Sequence, residues 1–274
     1  LKSPLALISL LALPFFAFSQ FSTEGDASNQ GGGCYRVTDD DNNEIGAAWS
    51  NVPMDVTAPF DVVASVFLGN SNGGGDGMAF VIRNSSSNDL QPNQMPGPDG
   101  QYLGYGTIDE SVIVEIDTDD NNAANDPNWD HLSVLRDGNP DHDAPSCLFD
   151  PVPALPDFSN IEDNDEHLFR VTWNPENDSL KVYFDCFLRI ATTVDIPSII
   201  GDTEGIWGFV ACTESEENEH RFCELDAFEP AELNLADVEL CAGQTATINL
   251  PDGFVVDWSP TAGLSGTAGS TIVV

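Results

Sequence analysis

Residues 111–136 read SVIVEIDTDDNNAANDPNWDHLSVLR, and the fold turns on how this stretch is parsed. Two runs rich in Val, Ile and Leu, SVIVEID (111–117) and HLSVLR (131–136), have the length and β-branched content of strands, and a polar loop of Asp, Asn and Pro separates them. On a strand, residues two apart share a face at roughly 7 Å spacing. Glu115 and Asp117 therefore project together while Val114 and Ile116 enter the core. Asp119, Asn121 and Asp126 follow on the loop, and His131 opens the second strand. Oxygen-rich ligands from a strand and a flexible loop suit Ca²⁺. A histidine joining the carboxylates suits a transition ion beside it. In a chain with 46 Asp and Glu an acidic loop is ordinarily a solvated face, but one of only four histidines at its end is a less common coincidence.

The same texture extends outward. FDVVASVFL (60–68), MAFVIR (78–83), HLFRVTW (167–173), SLKVYFDCFLRI (179–190) and IWGFVAC (206–212) read as strands, bounded by breakers such as NSNGGGDG (70–77) and NPEND (174–178). Outside the N-terminal segment no helical apolar period persists for ten residues. Many short strands joined by polar loops predict an all-β, antiparallel sandwich or jelly roll. The long loops at 84–101 and 118–130 are where function is expected to sit.

Composition bounds the partners. The 274 residues carry 8 Lys and Arg against 46 Asp and Glu, a formal net charge of −38. That excludes nucleic acid, whose phosphates need clustered Lys and Arg. It equally disfavours an anionic membrane surface and favours cations. A hydrophobic fraction of 41%, with 16 Phe and 5 Trp, is too high for a disordered acidic tail, so a sizeable core is expected.

Residues 1–19 read as a secretory signal peptide: Lys2, an apolar run from Leu5 to Leu13, then Ala17-Phe18-Ser19 before Gln20. The run is too short to span a bilayer, and no later segment is expected to insert in a membrane. Six cysteines (34, 147, 186, 212, 223 and 241) fit an oxidising compartment, allow fifteen pairings and contain no C-x-x-C. Near residue 229 the texture becomes Thr-, Gly- and Ser-rich. Residues 20–228 are expected to be the main domain, 229–236 a linker and 237–274 an incomplete Ig-like repeat that stops in mid-strand. The opening Leu in place of Met suggests an unusual start codon or a clipped end, and a C-terminal module too small for an independent core leads us to expect a piece of a longer extracellular or surface-attached protein, with further domains beyond residue 274.

The stretch VIVEIDTDDNNAANDPNWDHLSV (112–134) resembles the metal-binding segment of legume-type (L-type) lectins, V-x-V-E-x-D-T-x-x-N followed by D-P and H-I-x-I. Gly75-Asp76-Gly77-Met78-Ala79-Phe80 is similar to the family's A-D-G-x-A-F, Gln101-Tyr102-Leu103-Gly104 to its G-x-L-G loop, and Trp207-Gly208-Phe209 to its G-F-S-A strand. The likeness runs in order across roughly 30–226, and residues 160–189 look particularly like the secreted bacterial branch, where Ig-like repeats often follow.

That resemblance implies a concanavalin-type jelly roll with two ions and no catalysis. Glu115, Asp117, Asp126 and His131 would hold a transition ion, typically Mn²⁺. Asp117, Asp126, the Asn121 side chain and the Asp119 carbonyl would hold Ca²⁺. The ions would fix the loop carrying Asn121 and the backbone near Asp76, commonly through a cis peptide before that Asp. Asp76 and Asn121 would then bind sugar hydroxyls, with a backbone donor from Gly100 or Gln101, and the partners would be glycans or glycoconjugates. The chain departs from the family at Asp119, where an aromatic platform is common; Trp129 and Tyr102 are the substitutes available.

Two other readings stand beside this one. A laminarinase-type glycoside hydrolase would use paired carboxylates of an E-x-D-x-x-E strand, though here Asp occupies 119 and 120. A metal-rigidified structural or adhesion spacer would bind no sugar. Among the smaller features, His142 in DGNPDHDAP could touch a cation but is expected to be solvated, and His167 and His220 are expected to lie on the surface. Glu214, Glu216, Glu217 and Asn218 fall where the family's fourth specificity loop would lie, or are ordinary solvation. Cys34 is read as preceding the first strand and Cys223 as lying in the last; terminal strands are neighbours in this architecture, which implies a 34–223 disulfide.

Overall fold

Short apolar runs broken by Gly, Asn, Asp and Pro bury their faces by pairing edge to edge and stacking in layers. The computed structural model describes residues 20–84, 100–106 and 108–225, together with the backbone of strand segments at 247–249, 256–257, 268–269 and 271–273. The proposed signal segment 1–19 and linker 229–236 lie outside the described residues. The chain divides into two compact units, Leu1–Phe228 and Glu229–Val274.

In the first unit, chain order gives β1 (Phe21–Gly25), β2 (Ser28–Gly31), β3 (Cys34–Thr38), β4 (Ile45–Ser50), β5 (Met54–Asp55), β6 (Phe60–Phe67), β7 (Gly77–Asn84), β8 (Ser111–Asp117), β9 (His131–Arg136) and β10 (Cys147–Pro153). There follow β11 (His167–Asn174), β12 (Ser179–Phe184), β13 (Phe187–Thr193), a five-residue helix α1 (Ile196–Ile200), β14 (Glu204–Cys212) and β15 (His220–Glu224). One sheet runs β1-β4-β14-β7-β8-β9-β10, with β5 on the end of β14; the other runs β13-β12-β11-β6-β15-β3-β2. Every pairing is antiparallel, which makes the unit an all-β jelly-roll sandwich. The second unit has two short antiparallel pairs, Thr247–Asn249 with Thr271–Val273 and Val256–Asp257 with Ala268–Gly269.

The core between the sheets is aromatic, with Phe80, Phe169 and Phe209 in mutual ring contact and Phe222 stacked on Phe209. β7 and β8 are buried along their whole length, as their near-continuous apolar runs require. Met78, Phe80, Ile82, Val112, Val114 and Ile116 face this core, while Ala79, Val81 and Ile113 face a second cluster roofed by Leu103, Tyr105 and Ile108. The side of β8 that carries Glu115 and Asp117 is therefore covered too.

The run at 179–190 is two strands rather than one. The chain reverses at Asp185-Cys186, both with positive φ (47° and 66°), a conformation the sequence does not advertise because neither residue is Gly or Asn. The Asp185 carboxylate accepts from Leu168 N and lies 2.8 Å from His167 Nδ1, which fixes the reversal. His167 and His220 are buried, contrary to the surface positions expected of them: a carboxylate and the Ile161 carbonyl hold the first, and the second sits 2.7 Å from Thr38 Oγ1. Cys34 opens the third strand, not a segment before the first, and is bonded to Cys223 directly opposite on β15. Cys147, Cys186 and Cys212 are free.

Burial alone drives the His220 imidazolium down to about 3, from 6.5 in an unfolded chain. Between those values the unfolded chain binds the extra proton, so this contribution to stability is whole above about pH 6.5 and is lost as pH falls toward 3. Urea unfolding of His220→Gln should show a smaller loss of stability between pH 7 and pH 4 than the native chain shows. Equal losses would assign the pH dependence elsewhere.

Candidate functional site

The site grows from the register of three adjacent strands. Asp117 pairs with Gly77 on one side and His131 on the other; Glu115 pairs with Ala79 and Ser133. Because β8 is covered on both faces, Glu115 and Asp117 are each only 1% exposed, and His131 is fully buried. Tyr105 donates to Glu115 Oε1 at 2.9 Å, and the Ser133 hydroxyl donates to Glu115 Oε2.

The following loop folds back onto this strand end. Asp119 N donates to Asp117 Oδ1 (2.9 Å), Asn121 N to Asp126 Oδ2 (3.0 Å) and Asn121 Nδ2 to Asp119 Oδ2 (2.7 Å). The Asp126 carboxylate is thereby carried inward until no part of it is exposed, 4.0 Å from His131 Nε2. The six residues singled out as metal ligands in the sequence, Glu115, Asp117, Asp119, Asn121, Asp126 and His131, thus lie on the end of β8, the loop folded onto it and the start of β9.

His142 joins them, contrary to the solvated position expected. Its side chain is 3% exposed, with Nε2 3.1 Å from Glu115 Oε2 and Nδ1 3.0 Å from Asp126 Oδ1. Its backbone N–H donates to Ala124 O and fastens the 137–144 loop to the 118–130 loop. The signal in the sequence was slight: a second member of a scarce residue type, eleven positions after His131.

The electrostatics of this cluster call for positive charge. Burial, then the charges of Glu115 and Asp126, push the Asp117 acid well above the usual carboxylate range. Burial acts the same way on Glu115, but the His142 hydrogen bond and the two imidazoles outweigh it and hold that acid low. His142 is pushed up to about 9, burial being overcome by the Asp126 and Glu115 carboxylates. Asp117 Oδ2, Asn121 Oδ1 and both ring nitrogens of His131 are buried without a hydrogen-bond partner, which is costly unless something else occupies them. Two sets, Glu115/His131/His142 and Asp117/Asp126/His131, offer donor atoms within 4.8 Å of one another. This donor chemistry fits an oxygen-bound cation next to a nitrogen-bound one.

Asp76 faces the cluster from β7's leading loop. The Gly75–Asp76 peptide is cis, Asp76 N donates to Cys212 O at 3.2 Å, and Asp76 O accepts from Thr118 N at 3.1 Å. Burial, with the charges of Asp119, Glu214 and Glu216, pushes the Asp76 acid up to about 8. A Cβ at Gly100 would overlap the Asp76 carboxylate, so Gly100 is the residue abutting it, and Gln101 is half-buried one position on in the same turn (Gly100–Tyr102). Asp119 stands at the shoulder of Gly75, where a Cβ would come 3.4 Å from its own. Of the two possible aromatic substitutes, Trp129 packs edge-on against Phe158 and His131.

Asn218 was missed as a structural residue. It is 1% exposed; its Oδ1 accepts from Asn70 N and Ser71 N, and its Nδ2 donates to Ser71 O and Glu162 Oε1. A Cβ at Gly69 or Gly74 would overlap it, so these glycines let the 69–75 loop close around the amide. Glu214, Glu216 and Glu217 beside it stay exposed.

Residues 16–225 match the legume lectin β-barrel domain, and the chain belongs to that L-type lectin family. Solved structures give the same fold at low identity. A lectin from Bauhinia forficata in complex with GalNAc aligns with a TM-score of 0.59 at 17% identity, over 77% of this chain and 92% of that one. Lectin II from Ulex europaeus gives 0.58 at 20%, over 75% and 90%. The exoplasmic/lumenal domain of VIP36, in a form bound to Ca²⁺ and Man3GlcNAc, gives 0.56 at 18%, over 79% and 89%.

Stripping cations with EDTA is expected to lower the melting temperature, and Ca²⁺ with a first-row transition ion to restore it. At a hundredfold excess over Kd each site adds about 2.7 kcal/mol. Calorimetry with and without chelator checks this, and a melting point indifferent to both would mean the cluster is neutralised from within.

Proposed function

We propose that the chain is a secreted, cation-dependent carbohydrate-binding module of a larger extracellular or cell-surface protein, without catalysis. The observation that carries this reading is the junction of Asp76 and the acidic loop: a buried carboxylate on a cis peptide, abutted by Gly100 and joined through its own carbonyl to Thr118, three residues before Asn121. Asp76 would accept from sugar hydroxyls, the Asn121 amide would donate, and the turn at Gly100 and Gln101 would add a backbone donor. Glu115, Asp117, Asp126 and His131 would hold a transition ion such as Mn²⁺. Asp117, Asp126, the Asn121 side chain and the Asp119 carbonyl would hold Ca²⁺. Bound cations would supply the positive charge that lets these buried carboxylates stay ionised together and keeps the loop in place.

Against a hydrolase reading, both Glu115 carboxylate oxygens are already engaged, one by Tyr105 and the other by Ser133 and His142. The Cys34–Cys223 bond fits an oxidising, extracellular setting. No helix among the described residues is long and apolar enough to cross a membrane. The Ig-like character of residues 237–274 and the bacterial branch remain part of the proposal.

Each sugar hydrogen bond to a charged group contributes about 1.5–3 kcal/mol, so Asp76→Ala should weaken binding by about tenfold or more while leaving the fold and the ions in place. A glycan array with Ca²⁺ and Mn²⁺, repeated with EDTA and with Asp76→Ala, tests the reading. Binding lost in both controls supports it. Silence on the array, with EDTA still lowering the melting temperature, would favour the structural spacer that the loss of an aromatic at Asp119 also suits.

A further inference from the structure

The resemblance that names the ion ligands supplies one imidazole, His131, yet two imidazoles enter the cluster. The rings of His131 and His142 stand 5.2 Å apart, nearly perpendicular, both buried. The His142 side chain is buried, and its two nitrogens look at Glu115 and Asp126, two of the carboxylates proposed for the transition ion. His131 has neither nitrogen hydrogen-bonded, although it is fully buried. One donor atom each from Glu115, His131 and His142 fits within 4.8 Å. Donors about 2.1 Å from a shared ion stand no more than about 4.2 Å apart, so small side-chain adjustments bring all three into one shell.

We propose that His142 is a direct ligand of the transition ion, making the centre a two-imidazole site selective for a later first-row ion such as Zn²⁺ or Co²⁺ rather than Mn²⁺. The inference rests on the reading of Glu115, Asp117, Asp126 and His131 as that ion's ligands, and deepens it by assigning a further ligand and the class of ion. The chemical reason is ligand softness: imidazole suits Zn, Cu, Fe and Ni, whereas carboxylate, carbonyl and water suit Mn, Mg and Ca. Replacing a water or an oxygen by His142 moves the balance toward the nitrogen-preferring ions. The neighbouring all-oxygen position, built from Asp117, Asp126, Asn121 and the Asp119 carbonyl, would keep its preference for Ca²⁺. The 137–144 loop thereby becomes part of the metal centre, clamped to the 118–130 loop by the Ala124 carbonyl and by Asn125, whose amide donates to Asp141 at 2.8 Å.

The test counts imidazoles. The Ca²⁺-saturated protein, freed of transition ions, is titrated with Co²⁺ and read by proton NMR, where each ligating ring gives its own paramagnetically shifted signals. Two shifted imidazole sets in the native chain, and one in His142→Gln, support the proposal; a single set in the native chain overturns it without recourse to any variant. Calorimetric titration gives a second reading. His142→Gln should bind Zn²⁺ at least about tenfold more weakly, with a smaller loss for Mn²⁺ and none for Ca²⁺, and unchanged Zn²⁺ affinity would overturn the proposal. Absence of any bound Co²⁺ or Zn²⁺ would also overturn it and would make His142 a protonated strut between two carboxylates. Failure here is separable from failure of the lectin reading: glycan binding with one shifted imidazole sinks only this proposal, and two shifted imidazoles with a silent array sinks only the sugar-binding one.

Discussion

Three buried carboxylates gathered around two imidazoles set the terms for everything around them. Glu115, Asp117 and Asp126 are all but inaccessible to water, and like charges in so dry a place repel strongly. A soluble chain does not gather such groups on a strand covered on both faces unless something positive offsets them. The two imidazoles are one source: the Asp126 and Glu115 carboxylates hold His142 up at about 9 despite its burial. The Asp117, Asn121 and His131 atoms that are buried without a hydrogen-bond partner lie where the proposed cations would bind.

From that constraint the loops acquire their shape. The 118–130 loop is wound inward because Asp126 must reach the end of β8, and the wound loop presents Asn121. Thr118 ties the same loop to the Asp76 carbonyl, so the residue proposed to meet sugar and the residues proposed to meet metal share one backbone connection. Behind them Asn218 and Glu162 brace the glycine-rich 69–75 loop; burial, with the charges of Asp130 and Asp119, pushes the Glu162 acid up to about 9. The binding surface is thus built from loops that have little regular structure of their own. They are held by buried polar contacts with one another and with the strand ends.

The chain by itself determined the strands that carry the site and the order of the residues along them. β7, β8, β9 and β14 fall where the apolar runs lie, and the period of two placed Glu115 and Asp117 on one face because strand geometry leaves no other choice. The interval to Asp126 and His131 was legible for the same reason, since all of these residues lie within one strand–loop–strand unit. Meetings between segments far apart, or outside such a unit, were settled only by packing. His142 looked like a solvated residue in an acidic loop until that loop was laid over β9. His220 and His167 looked superficial until Thr38 packed against the first and Asp185 and the Ile161 carbonyl against the second. Asn218 looked like surface charge's neighbour until the 69–75 loop wrapped it, and Gly100 acquired its place only against Asp76. Burial of a polar group is a property of what packs on it from elsewhere, and no local period or propensity carries that information.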